Sequence, residues 1–142
     1  MLVYGSRDGR YLAAAIELVS EGNKDRPEAR DAFVAKCETY LQSGVGVVIV
    51  DVVTARTANL HDDLMARISP GVTTWGERLY VTAYRPTGKN GSAQLTVWRE
   101  GQTLGAPLPT APLWLLHGPC IPLPLETTYE DTFRQLRLPT GP

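Results

Sequence analysis

Apolar residues run almost unbroken from Tyr11 to Val19, with one carboxylate, Glu17, set inside the run. A second run, Val45 to Val53, carries Asp51 near its end. Nearly continuous apolar stretches of this length describe strands covered on both faces. Between them the period changes. Ala29, Phe33, Cys37, Tyr40 and Leu41 recur at three- and four-residue spacing, which predicts a helix from about Pro27 to Ser43. Asp25, Pro27 and Glu28 supply helix-start chemistry, and Gly44 supplies the stop. Glu21 to Arg26 reads as a polar loop. Strand, helix and strand make a βαβ unit, so the two strands are expected to pair in parallel through a right-handed crossover.

The flanking patterns are shorter. Leu2 to Ser6 alternates as a strand, and Asp8-Gly9 marks a hairpin turn into the next one. Met1 lies almost on that first strand. Such an edge is expected either to have lost upstream structure or to be covered by a partner. Asn59 to Ile68 reads as a short helix, with Asn59 as N-cap and Asp62 at the capping-box position. Glu77 to Arg85 and Ala93 to Arg99 alternate like antiparallel strands around Gly88, Asn90 and Gly91. Gly101 to Pro124 reads as extended, and Tyr129 to Leu136 as a final short helix. The fold class is therefore α/β or α+β: a mixed sheet with a central parallel βαβ unit and an antiparallel hairpin extension. The chain reads as one domain, 1–142, in three parts: a core at 1–68, the hairpin at 75–100, and a proline-rich segment with a terminal helix at 101–142.

Composition removes several function classes. The chain has 142 residues, 14 basic and 15 acidic, for a net charge of -1. No global basic field is present to drive non-specific nucleic-acid binding. Eight of the 11 prolines lie from Pro107 onward, which is why that stretch reads as extended. Cys37 and Cys120 read as free thiols in a reducing cytoplasm. No basic-then-apolar leader and no run of about 18 apolar residues occurs, so neither a signal peptide nor a membrane span is expected.

A carboxylate within an apolar strand needs a partner, because burying a lone charge is costly. Glu17 shares a strand face with Ala13, Ala15 and Val19, and small alanines leave room for a packed helix or a metal. Asp51 ends the parallel neighbour, and ligand sites of open α/β sheets form at the carboxyl ends of strands. Lys36 borders the helix's apolar stripe, one turn from Phe33 and Tyr40. Two carboxylates and an ammonium at one sheet end suit metal-assisted phosphodiester hydrolysis. The alternative is a core ion pair, Glu17 with Lys36 or with Lys24. Ser20, Asn23, Lys24 and Arg26 form a second candidate, an anion site before a helix N-terminus; the alternative is a capped, solvated connection. His61-Asp62-Asp63 can rim the same sheet end, although helix capping accounts for both acids. His117 and Cys120 lack the further Cys or His that a zinc site requires. Trp75, Trp98 and Trp114 read as core or interface anchors.

Taken together, Ile16-Glu17-Leu18-Val19-Ser20, Asn23-Lys24, Lys36-x-x-x-Tyr40-x-x-x-Gly44-Val45 and Val48-Ile49-Val50-Asp51 resemble the PD-(D/E)XK nuclease-like superfamily. Within it they resemble the Uma-two branch, and most closely a bacterial domain of unknown function, DUF-4058. That last resemblance extends to Asn59-Leu60-His61-Asp62, Tyr84-Arg85-Pro86, Pro107-Leu108-Pro109 and Leu123 to Tyr129. Resemblance to the superfamily implies a nuclease-like core at 1–68, with a β-sheet flanked by helices, a divalent Mg²⁺ or Mn²⁺, and cleavage of nucleic acid. Glu17 then matches the acidic residue of the motif strand, and Lys36 a lysine moved to the following helix. Val19 stands where the motif has lysine. The upstream aspartate has only Asp8 as a counterpart, in a turn, and would be an auxiliary metal ligand with Asp51. Two functions follow: a metal-dependent nuclease, or an inactive nuclease-like scaffold that serves as a binding or homo-oligomeric assembly module. Convergence of Glu17, Lys36, Asp51 and Asp8 on one cavity is the geometric requirement of the first.

Overall fold

The computed structural model describes residues 1–89 and 92–128. Strand β1 (Leu2–Ser6) turns at Asp8-Gly9 into β2 (Arg10–Leu18). A short helix α1 (Glu21–Asp25) and the long helix α2 (Pro27–Gln42) lead to β3 (Gly46–Asp51). Helix α3 (Leu60–Ile68) follows, then β4 (Tyr80–Lys89) and β5 (Ser92–Gly101), and last β6 (Thr110–Trp114) and β7 (Cys120–Pro124).

The five strands β1 to β5 lie side by side in chain order. β2 and β3 pair in parallel, and the other neighbours are antiparallel. The expected parallel pair and antiparallel extension are therefore present in one mixed α/β sheet. β3 is central, with every residue buried. One of its faces sends Val47 and Ile49 against Phe33, Val34, Cys37 and Leu41 of α2 and Leu60 and Leu64 of α3. The other sends Val48 and Val50 toward Ala111 and Leu113 of β6. Sandwiched between helices and a second small sheet, such a strand must be apolar on both faces, as its sequence is. Trp75 packs on the helix-side core, and Trp98 and Trp114 on the other.

Three elements depart from expectation. Glu21 to Asp25 is helical rather than a loop, because Ser20 and Asn23 close a reciprocal cap: the Asn23 N–H donates to Ser20 Oγ, and the Ser20 N–H to Asn23 Oδ1. Helix α2 takes Arg26 as its N-cap, without a side-chain bond, so Asp25 does not cap it. Gly101 to Pro124 is not merely extended; it contains the β6–β7 hairpin. Among the described residues both of its strands are edges, where proline's missing N–H is tolerated, and Pro112 sits directly opposite Pro122. Asn59 caps α3 as expected, accepting from the Asp62 N–H at 2.9 Å. The helix expected at Tyr129 to Leu136, like Asn90 and Gly91, lies outside the described residues. Among the described residues, no helix is long and apolar enough to cross a membrane.

Candidate functional site

Glu17 is the next-to-last residue of β2 and Asp51 the last of β3. Glu17 lies opposite Ile49, so Asp51 stands two positions further along, on the same helix-covered face. Each acid holds its own lysine.

Asp51 takes Lys24. The turn of α1 directs this lysine inward, and its Nζ donates to Asp51 Oδ2 at 2.9 Å, both side chains being fully buried. The remaining oxygen, Oδ1, accepts the Val53 N–H at 3.0 Å, and Lys24 Nζ also donates to the Val53 carbonyl at 3.4 Å. Burial pushes the Asp51 carboxyl above its usual range; the hydrogen bonds from Lys24, Val53 and the Tyr80 hydroxyl pull it part of the way back. Arg30 fastens the same turn from outside by donating to the Lys24 carbonyl at 3.1 Å.

Glu17 takes Lys36, at 3.0 Å, under different conditions: the lysine side chain is 44% exposed and the carboxylate 14%. Lys36 Nζ also lies 5.3 Å from the centre of the Phe33 ring. Tyr40 and Cys37, on the same helix, feel this carboxylate. Burial first and the Glu17 charge second raise the Tyr40 hydroxyl, and they push the Cys37 thiol up to about 12.

The polar chain continues inward from Asp51. The Tyr80 hydroxyl accepts the His61 backbone N–H at 3.1 Å, and His61 Nδ1 is hydrogen-bonded to the Tyr84 hydroxyl. The His61 ring stands edge-on to Trp75, with centroids 5.7 Å apart. Burial lowers the His61 pKa to about 4, which keeps the imidazole neutral. The two acids beside it go elsewhere. Asp62 accepts the Trp75 and Gly76 N–H groups, both at 2.8 Å. Asp63 faces a cavity of about 420 Å³ shared with Arg30, Arg56 and Asn59. Arg56 there is already held by Asp25 at 3.0 Å and Glu21 at 3.7 Å.

The four side chains singled out from sequence therefore do not meet around one cavity. Glu17 and Lys36 pair with each other, and Asp51 is sealed beneath Lys24. Asp8 is exposed in the β1–β2 turn, at φ 54°, beyond the opposite end of β2. Ser20 and Asn23 are spent on the cap of α1, and the Lys24 ammonium is committed to Asp51 rather than to an anion. Among the described residues, no three His, Cys, Asp or Glu side chains gather to hold a metal. Mg²⁺ or Mn²⁺ requires several oxygen ligands, and of the two acids at this sheet end Asp51 is sealed and Glu17 is 14% exposed. The sequence reading missed the Lys24–Asp51 pair and the chain through Tyr80 and His61 to Tyr84. The Ser20-x-x-Asn23 spacing was the signal for it, since a helical turn there points Lys24 at the sheet. Set against known protein families, characterised proteins and solved structures, the chain matches none.

Proposed function

We propose that this chain is a binding or assembly module, a homo-oligomer built on a nuclease-like scaffold, in which the acidic strand positions hold the fold rather than a metal. The observation that carries the reading is Asp51: both carboxylate oxygens are engaged and the side chain is inaccessible. A buried carboxylate already neutralised by a lysine gains little from a cation. The β1 edge supplies a surface for assembly, since Leu2 and Tyr4 on it are 42% and 46% exposed and, among the described residues, no strand pairs with its outer side. Two unpaired cysteines suit a cytoplasmic setting. Size-exclusion chromatography with light scattering tests the reading, and a monomer at every concentration overturns it. Calorimetry with MgCl₂ and MnCl₂ is expected to show no binding.

One observation favours metal-dependent phosphodiester hydrolysis of nucleic acid as a second reading: Glu17 and Lys36 do converge, at 3.0 Å, with the lysine side chain 44% exposed. On that reading Glu17 holds Mg²⁺ or Mn²⁺ and Lys36 orients water. Cleavage of DNA or RNA that depends on either metal, and is lost in Glu17→Gln, would establish it against the first.

A further inference from the structure

At the sheet end away from Asp51 lies another cavity, of about 460 Å³, a size that takes a small organic molecule. It opens where the amino end of β3 meets β4 and the β6–β7 turn. Its walls are fixed by contacts that depend on particular residues. Gly46 carries no side chain, and a Cβ there would stand 1.9 Å from the Trp114 carbonyl oxygen. Only glycine lets the hairpin close onto β3 at this point. The Leu116 N–H then donates to the Ala13 carbonyl at 2.9 Å, and the Leu115 and Gly118 N–H groups brace the turn from within at 3.2 and 3.1 Å. His117 sits at φ 58°, an uncommon backbone for this residue, with its ring edge-on to Tyr11 at 5.5 Å.

The lining combines two chemistries. Trp114, Leu116 and Pro86 are apolar, whereas Arg85 and His117 can donate hydrogen bonds. Arg85 follows Val81 and Ala83 on the hairpin side of β4, and no acidic residue lines the cavity among the described residues. Among those same residues its guanidinium has no hydrogen bond or ion pair. A fork of five donors in a partly apolar cavity, with no carboxylate to neutralise it, is the recognition kit for a planar acid.

We propose that this cavity binds a small aromatic anion: a planar ring against Trp114 and Leu116, its acidic group on Arg85 and His117. The site is separate from the Glu17 and Asp51 carboxylates and does not rest on the function proposed above.

Cys120 gives the test a built-in reporter, because it lines the cavity and is exposed. Cys37 is buried with its thiol raised to about 12, so alkylation by iodoacetamide reads Cys120. Phenyl phosphate and phenylacetate serve as probes, with inorganic phosphate and benzyl alcohol as half-ligands. At concentrations up to about 10 mM, at least one ring acid is expected to slow alkylation severalfold, and which one does separates phosphate from carboxylate preference. Arg85→Met, an exposed substitution that leaves the core intact, is expected to weaken that protection about tenfold. Each half-ligand is expected to protect about tenfold less well than the ring acid. The proposal is overturned if neither ring acid protects, if Arg85→Met protects as well as the parent, or if a half-ligand does as well as the whole.

Discussion

Two lysine–carboxylate pairs sit a few residues apart on one face of the same sheet. Lys24–Asp51 and Lys36–Glu17 have nearly equal lengths, 2.9 and 3.0 Å. Their surroundings differ: the first is sealed from water and the second is open at the lysine. Distance alone therefore does not define what an ion pair does. A sealed pair has given up its hydration, so each partner depends on the other. The second pair keeps solvation at its lysine, which is free to exchange its partner for something else.

The strongest way to break this contrast is to remove one half of the sealed pair. Asp51→Ala or Lys24→Ala is expected to cost about 3–5 kcal/mol in urea unfolding, because it strands a buried charge. Changing both, Lys24→Met with Asp51→Leu, should recover part of that loss. A single-variant cost below about 1 kcal/mol would erase the distinction.

Acid titration comes next in size. His61 extends the sealed region, with its pKa lowered from 6.5 to about 4. Below pH 6.5 the unfolded chain takes up a proton that the folded chain refuses, so stability is full above that pH and falls toward pH 4. The loss should approach about 3 kcal/mol, since each tenfold difference in proton affinity between the folded and unfolded chain is worth about 1.4 kcal/mol. Asp51, whose carboxyl is raised, takes its proton first in the folded state and tempers the acid end of that limb. His61→Gln should flatten the limb; an unchanged pH profile would place the imidazole in water after all.

The smallest effect belongs to the open pair. Lys36→Ala should cost less than about 1 kcal/mol. A loss as large as that of Asp51→Ala would show Lys36 to be a second structural lysine.

Much of this contrast could be read in advance, though not its direction. The run from Val45 to Val53 announced a strand covered on both faces, and the stripe from Ala29 to Leu41 announced its crossover helix. The Glu17–Lys36 pair was legible as one of two alternatives because strand and helix periodicities place both on facing surfaces. Lys24 was not legible as the partner of Asp51. A lysine in a polar stretch looks solvated, and only the α1 turn points it inward. The β6–β7 hairpin was hidden for another reason. Proline argues against a strand where both flanks must donate hydrogen bonds, and pattern alone does not reveal that each strand has a free flank. Pro86 follows the same logic: among the described residues β4 pairs with β3 only through Tyr84, and beyond it no strand lies on that side.

The order of strands in the sheet also has a kinetic consequence. The outer pairings, β1 with β2 and β4 with β5, join neighbours along the chain and can close early. The inner ones, β2 with β3 and β3 with β4, each wait for a long intervening segment to be looped out. The central strand, β3, is thus the piece on which two preformed hairpins must converge. Lys24, reaching across from one flank to the last residue of that strand, is placed to act as the latch that slows their separation.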